Sequence, residues 1–464
     1  MDLLKISSIL ALTYSGEILI MQTNPVSCLK PVLCLLLPIF FVIVLKAAPG
    51  GLDPTFGNGG KVVTSTNGFS TSGVVALAVQ PDGKTVVAGD SANFFLIRYN
   101  PDGSPDNSFG TSGVVNTPFA NGNPSSIRDL LVQPDGKIVA VGTTRINNLS
   151  SFAVARYNAD GSFDNSFGTN GLYTMTFTTV PEASAILLKA AIQNDGKILA
   201  ASGSRIIRLN PNGTLDTGFG TNGVYITPSL GLEGNLLSLP DRKILIITSV
   251  YFDDGRIGKA LVRLDDKGVP DNTFGKGGSA VIFRNDEYFA ARVLALQSDG
   301  KIIVAGNYQL SFGLARLYPY PLRTSRPSLL AVARFNNDGV LDTTFGTNGF
   351  SIFYSRKYDL ETQAVVVQPN DKIVVCGTIY NLMNNRFLPQ ANWDTDIILA
   401  RFGANGLFET DFGLNGLAST DFGSHQSEDG TVAGLQPDGK IIVGGKFIFT
   451  NTTSYFLLAR YLDQ

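Results

Sequence analysis

The chain has 464 residues, a formal charge of −2, three Cys, one His and one Trp. A single His excludes a multi-histidine metal centre, and 36 basic residues dispersed among 38 acidic ones exclude the basic face that nucleic-acid binding needs. Length alone suggests about three domains, but an internal repeat overrides that prior.

Residues 1–48 read as a leader. Lys30 is followed by fifteen uncharged, almost wholly apolar residues, PVLCLLLPIFFVIVL, and then by Lys46, Ala47 and Ala48. That length suits the core of a signal peptide and is short for a membrane span. Met21 as the true start would give a leader of ordinary size. Export to the periplasm, cell surface or exterior is expected. The alternative is an anchor left uncleaved, because Lys46 fits poorly at a cleavage site, and membrane contact is expected only through this segment. Cys28 and Cys34 lie here without a lipobox, which leaves Cys376 alone in the mature chain and no intrachain disulfide.

Residues 49–464 repeat one pattern seven times. A D-x-x-F-G unit places its Phe at Phe56, Phe109, Phe167, Phe219, Phe274, Phe345 and Phe412, at spacings from 52 to 71 residues. Between these units lies QPDGK at Gln80, Gln133 and Gln436, and degraded forms at Gln193, Leu239, Gln297 and Gln368. The first repeat resolves into apolar runs at 60–65, 74–79, 85–89 and 94–99, each of strand length and rich in Val, Ile, Phe and Tyr. The Asp-Gly of QPDGK supplies the positive φ of a tight hairpin between the second and third runs, and NPDG at 100–103 is expected to do the same for the third and fourth. Nothing after residue 52 sustains a 3.6-residue apolar period, so the chain is all-β.

Four-stranded antiparallel units repeated radially predict a seven-bladed β-propeller. The chain enters at Leu52 with a D-x-x-F-G unit lacking a preceding strand, and leaves at Arg460-Tyr461 with a strand lacking a following unit. The N-terminal run 60–65 is therefore expected to become the outer strand of the blade built by 431–461, closing the ring and removing its free edges. Text such as VQPDGK with ARYNADGSFDNSFG resembles the bacterial delta-60 repeat family over roughly residues 52–464. That resemblance implies a β-propeller and no particular activity. Departures are local: Asp241-Arg242 and Asn370-Asp371 replace the turn Asp-Gly, and Glu409 replaces the last Asp of the unit.

A strand Arg and an acid lie eight residues apart in each copy: Arg98 with Asp106, Arg156 with Asp164, Arg208 with Asp216, Arg263 with Asp271, Arg334 with Asp342 and Arg401 with Glu409. Across the proposed closure, Arg460 pairs with Asp53. The constant spacing predicts structural, bidentate ion pairs. The Phe is expected to wedge between blades. The NPDG turns superficially resemble calcium loops but lack the ligand alternation and the terminal Glu, so no metal or cofactor is expected. Nucleophile-elbow and phosphate-loop motifs are absent from the sequence, and His425 falls in a polar loop.

In such blades one face carries the uniform landmark turns, and the other carries the loops joining second to third strands. Those loops are long in three consecutive blades: 251–256, 307–328 and 379–395. They hold Tyr251, Asp253, Asp254 and Arg256 in the fourth blade, then Tyr308, Tyr318, Tyr320, Arg323 and Arg326 in the fifth. The sixth contributes Tyr380, Asn384, Asn385, Arg386 and Trp393. Tyr, Trp and Arg are favoured at recognition hot spots, which predicts a monomeric, non-enzymatic scaffold for a protein or glycan partner; the bland reading is tolerated insertions packed on the rim. The alternatives are a carbohydrate-active hydrolase or lyase using Asp129, Glu233, Glu361, Glu428 or Asp429, and a structural envelope element. Arg128 and Arg292 occupy matching first-strand positions, filled elsewhere by Val75, Leu188, Gly234, Gln363 and Thr431. They suggest an asymmetric positive channel mouth, or ion pairs with Asp129 and Glu287.

Overall fold

A computed structural model describes residues 10–14 and 17–21. From Ala48 to Asp463 it describes all but 67–72, 120–123, 148, 177–187, 228–231, 252–256, 283–287, 310–327, 356–357, 382–394, 424–426 and 449–454. Leu10–Tyr14 and Glu17–Met21 form a short hairpin, and the apolar run 31–45 lies outside the described residues. Among the described residues no helix is long and apolar enough to cross a membrane.

Seven four-stranded antiparallel sheets follow. Blades 1 to 6 comprise residues 74–117, 125–176, 188–226, 232–282, 288–353 and 358–420. Blade 7 is built from 427–461 and completed by Lys61–Ser65, which pairs with Tyr455–Tyr461 from Ser65 opposite Tyr455 to Lys61 opposite Ala459. The first strands of neighbouring blades lie against one another all the way round, blade 7 against blade 1 included, so the ring is closed. The interior strands are buried on both faces, as along Phe94–Tyr99, which explains their continuous apolar text; the outer Val114–Thr117 alternates buried with exposed.

The core is accordingly divided into seven seams, one between each pair of blades. Phe109, for example, joins Val86, Ala88 and Leu96 of blade 1 to Ile138, Ala140 and Ala153 of blade 2. Each seam holds one Phe of the D-x-x-F-G unit, from Phe56 at the closure to Phe412, and every one of the seven is fully buried.

The QPDGK turn joins the first strand to the second, as in Val74–Val79 with Thr85–Asp90. NPDG does not join the next pair of runs as expected. Thr85–Asp90 and Phe94–Tyr99 are linked by residues 91–93, whereas 100–103 follow the third strand and lead through D-x-x-F-G to the fourth. The first run, 60–65, is an outer strand that belongs to the previous blade, which shifts the turn by one strand. Where Gly83 adopts φ 82°, the degraded copies hold Arg242 at 67° and Asp371 at 63°, so the left-handed conformation is kept at some backbone cost.

The Arg of each third strand ties its blade to the next. Arg156 is buried with its guanidinium 4.6 Å from the Phe167 ring centroid. Its Nε donates to Asp164 Oδ2 at 2.8 Å and its Nη1 to Pro211 O of blade 3 at 2.5 Å. Six further copies repeat this: Arg98, Arg208 and Arg263 reach Ala159, Asp266 and Asn337 of the following blade, Arg334 reaches Ala404, Arg401 reaches Asp463, and Arg460 closes onto Pro101. Their acids are Asp106, Asp216, Asp271, Asp342, Glu409 and Asp53, at 2.6 to 2.9 Å.

The pairing is not the bidentate fork that was expected. In blade 2 one Asp164 oxygen faces Arg156 and also Lys137 of QPDGK at 3.2 Å, while the other accepts the Ser166 amide and hydroxyl at 3.1 and 2.6 Å. The turn takes half the carboxylate, leaving one oxygen for both cations. Lys84, Lys197, Lys243, Lys301, Lys372 and Lys440 repeat the Lys contact.

Burial alone would raise these carboxyls. Hydrogen bonds from the residue two on, and the facing Lys and Arg, outweigh it: Asp53, Asp164 and Asp342 fall to about 2, and Asp106, Asp216 and Asp271 are lowered as well. A carboxyl whose folded value lies below the unfolded value of about 3.9 stabilises fully above that pH and loses its contribution as pH falls through the folded value. The contribution of these clasp acids to the denaturant midpoint should therefore be constant from pH 7 to about pH 5 and be lost between about pH 4 and pH 2; a midpoint held at pH 2 would show the acids to be unimportant. Arg156→Ala should destabilise by about 3 kcal/mol in urea unfolding, at the low end for a broken buried pair because Lys137 still faces the stranded oxygen.

Candidate functional site

The face opposite the landmark turns carries the second-to-third connections and the crossovers between blades. It is also the end at which the first strands are irregular. Bulges fall at Val75, Arg128, Arg292, Gln363 and Thr431, with a longer irregularity between Leu232 and Leu236 that contains Gly234. These are the matched first-strand positions of the sequence. A bulge re-aims the side chains around it, and here the neighbours of the bulge stitch adjacent first strands together. Asn235 Oδ1 accepts the Leu294 amide at 2.6 Å, and Asp129 Oδ2 accepts that of Ala190 at 2.9 Å.

Arg292 reaches across to the next blade. Its Nη1 lies 2.8 Å from Glu361 Oε1 on blade 6, because a bulged first-strand side chain reaches the next blade rather than its own turn. Glu287 lies outside the described residues. The other Glu361 oxygen accepts the Tyr380 hydroxyl at 3.0 Å. Glu361 sits opposite Thr378 in the sheet, and the Thr378 hydroxyl is 3.4 Å from Asp429 Oδ1 of blade 7, whose Oδ2 is 3.6 Å from Lys446. Arg292, Glu361, Tyr380, Asp429 and Lys446 thus form one polar array across blades 5, 6 and 7. Asp359 borders it, accepting the amides of Ser328 at 2.7 Å and Leu360 at 3.1 Å through one oxygen.

The electrostatics follow from crowding of acids on a partly desolvated surface. Burial, reinforced by the negative charge of Glu361, pushes the Asp359 carboxyl up to about 6 against the pull of its two amide donors. Asp429 is raised by burial and by Glu361, with Lys446 opposing. Tyr380 is raised well above the ordinary phenol range by burial and by Glu361, Asp429 and Asp359, so it remains a proton donor. An array with a guanidinium, an ammonium, a phenol and carboxylates offers both donors and acceptors to a polyhydroxylated or peptide ligand.

Several expected site residues fall elsewhere. Tyr308 is buried in the seam between blades 4 and 5 and cannot join a surface patch, because the strand Ile302–Gln309 continues past the point where a loop was expected and turns that ring inward. Tyr251 is exposed at the rim of blade 4. Asp253, Asp254, Arg256, Tyr318, Tyr320, Arg323, Arg326, Arg386 and Trp393 lie outside the described residues, as do Asn384, Asn385 and His425. Among the candidate carboxylates, Asp129 is held by backbone amides. Glu428 is buried with both oxygens on the Phe422 amide, at 3.0 and 2.9 Å. Glu233 lies on the first strand of blade 4, and Glu361 and Asp429 are the two within the array.

Sequence reasoning named Glu428 but missed Asp396 and Asp421, whose ligand oxygens lie within 4.8 Å of one another and of that of Glu428; three acids from separate segments carry no spacing signal. It also missed the Lys of QPDGK as a partner of the acid, although that Lys recurs in all seven copies. Cys376 is buried, and its thiol is pushed up to about 12 by that burial, which makes it unreactive.

Fold and site together define a β-propeller repeat protein, ring-closed, with a repetitive structural face and an irregular polar one. The family model described as "Domain of unknown function (DUF5122) beta-propeller" matches residues 80–109, 133–167, 193–219, 239–274, 297–319, 327–345 and 436–462, which fall in blades 1 to 5 and 7; in blades 1 to 4 each segment runs from the second landmark to the Phe of the first. None of the curated proteins matches the chain. Among solved structures it is similar to a protein of unknown function from Dyadobacter fermentans, with 11% identity and a TM-score of 0.43 over 87% of this chain and 98% of that one. It is also similar to the polysaccharide lyase Uly1, at 12% identity and a TM-score of 0.44 over 83% and 90%. The α-L-arabinofuranosidase Arb93A of Fusarium graminearum gives 9% and 0.40 over 86% and 96%.

Asp359→Asn preserves an oxygen for both amides while removing the disfavoured charge. Since the folded value lies above the unfolded one, the wild-type protein loses stability as pH rises from about 4 to about 6. The variant should gain on the order of 1 kcal/mol at pH 8 and nothing at pH 4 in urea unfolding.

Proposed function

We propose that the protein is an exported, monomeric, non-enzymatic β-propeller scaffold of the delta-60 type, which recognises a glycan or protein partner through the irregular face of blades 4 to 6. The observation that supports this reading is the contrast between the faces. On the landmark side the repeated Arg, Lys and acid are bound into seven matching clasps, one of them with Glu409 in place of Asp. Among the described residues the Arg292–Glu361–Tyr380–Asp429 array occurs once. Variation laid on a uniform scaffold is where a specific ligand is accommodated. Tyr251, exposed on the adjoining blade, extends the same surface.

The test is a glycan-array and pull-down screen with residues 49–464, followed by shortening of 318–327 and 390–395 to tight turns and by Glu361→Gln. Binding found for the parent should fall by about tenfold or more in both kinds of variant while the thermal midpoint is kept; binding unchanged in all of them would sink the reading.

A second reading is a carbohydrate-active hydrolase or lyase, favoured by one observation: Glu361 and Asp429 both crowd Tyr380, which holds two carboxylates beside a phenolic donor. Turnover in the same polysaccharide panel that disappears in Glu361→Gln, Asp429→Asn and Tyr380→Phe would select it over the scaffold.

A further inference from the structure

Nine Asn-Gly pairs are written into this chain. Asn is a thermolabile residue, because the backbone nitrogen that follows it can attack its side-chain carboxamide, and a following Gly leaves that nitrogen unhindered. The pairs at 67–68 and 121–122 lie outside the described residues, and the other seven differ in what the Gly nitrogen is doing. Five have it engaged. The amides of Gly171, Gly223 and Gly349 donate to Phe167 O, Phe219 O and Phe345 O at 2.8 to 2.9 Å, within the landmark turns, and those of Gly213 and Gly406 donate to Asn210 O and Gly403 O at 2.8 Å. In the sixth pair, Asn415-Gly416, the Gly is buried against the Phe408 ring. Asn58-Gly59 is different. Both residues are exposed and the space beside the Gly59 Cα is open. Among the described residues neither the Gly59 amide nor the Asn58 carboxamide has a hydrogen-bond partner.

The repeat explains the exception. In the hairpin after each Phe-Gly the two turn positions carry positive φ, and Asn170, Asn222, Asn348 and Asn415 occupy the first of them. In the first copy Gly59 and Gly60 fill both, at φ 59° and 91°, and the Asn stands one place earlier, where four sister turns hold Thr111, Thr169, Thr221 and Thr347. It is therefore the Gly60 amide that donates to Phe56 O, at 2.8 Å, while the Gly59 amide points to no acceptor. Asn58 and Lys61 exchange backbone hydrogen bonds of 2.8 and 3.3 Å, at the foot of the closing strand Lys61–Ser65.

We infer that Asn58 is a site of spontaneous, time-dependent modification by water, which loosens the ring at its closure. The Gly59 nitrogen bonds to Asn58 Cγ, the Cγ–Nδ2 bond breaks, and Nδ2 leaves as ammonia with the Gly59 amide proton, giving a cyclic imide. One water then opens the imide. Opening at the bond to Cγ gives aspartate, and opening at the bond to the Asn58 carbonyl carbon gives isoaspartate, whose main chain runs through Cβ and Cγ. The added main-chain carbon takes residue 58 out of register with Lys61, so both hydrogen bonds at the foot of the closing strand cannot be kept.

The test is to incubate the folded protein in neutral buffer, sample it with time, digest after Lys and Arg, and follow each pair by mass spectrometry, with the six other described pairs as internal controls. Asn58, in the peptide that ends at Lys61, should convert at least about fivefold faster than any of them, because a bonded or buried nitrogen must first be released. In urea the seven rates should converge. The thermal midpoint of the folded protein should fall as isoaspartate accumulates. Asn58→Thr, which installs the residue of the four sister turns, should fold and keep its midpoint through the same incubation. The inference is overturned if Asn58 converts no faster than the controls in folded protein, if its lead survives undiminished in urea, or if the parent keeps its midpoint while isoaspartate accumulates at residue 58.

Discussion

Each blade of this ring depends on a buried guanidinium that performs three tasks at once. Arg156 lies on an aromatic face, meets a carboxylate oxygen edge-on and donates to a carbonyl of the next blade. A Lys at that position could form the ion pair but not the stack or the diverging donors. A buried cation is costly unless all its partners are present, and one of those partners always belongs to the following blade. A single blade therefore leaves its own Arg incompletely satisfied, and the demand passes round the circle until Arg460 meets Pro101. Stacked linear repeats need a special cap at each end; here the last unsatisfied group of the series is satisfied by the first blade.

Because the clasps occupy one face, the other is free to vary. The Asp164 group shows how completely the landmark side is committed: both oxygens, Ser166, Lys137 and Arg156 form one closed set of donors and acceptors. On the opposite face the bulged positions hold Val75, Arg128, Arg292, Gln363 and Thr431, four different residue types on a shared backbone irregularity. The polar array that begins at Arg292 arises from that device. The same bulges serve packing as well, since Thr431 donates to Val74 O at 2.6 Å and helps to hold blade 7 on blade 1.

What could be read from the text and what could not divide along the same line. Features written seven times were legible: four-stranded units, the Arg and acid eight apart, the Phe in each seam, and the closing strand Lys61–Ser65. Their atomic detail was not, because a spacing of eight says that two side chains meet but not that Ser166 occupies one of the acid's oxygens first. The misplaced NPDG turn came from where the repeat was taken to begin, an ambiguity inherent in any circular pattern. Contacts written once were invisible. Arg292 and Glu361 are separated by 69 residues and are brought together only by the bulge and the blade angle. Tyr308 looked like a loop aromatic because the strand that buries it runs longer than its apolar text suggests.

The turn that finishes blade 7 is shared between the two ends of the fold. Gly50 donates to Leu462 O at 2.8 Å, Leu462 donates back to Gly51 O at 2.9 Å, and Gly50 sits against Phe412 where a side chain would collide. On a ribosome the segment from Pro49 to Ser65 is made well before the strand Tyr455–Tyr461, and it can be seated only when that strand arrives. Until that moment the nascent protein is a crescent with an open edge at each horn. The early piece of the lock must wait for that late strand.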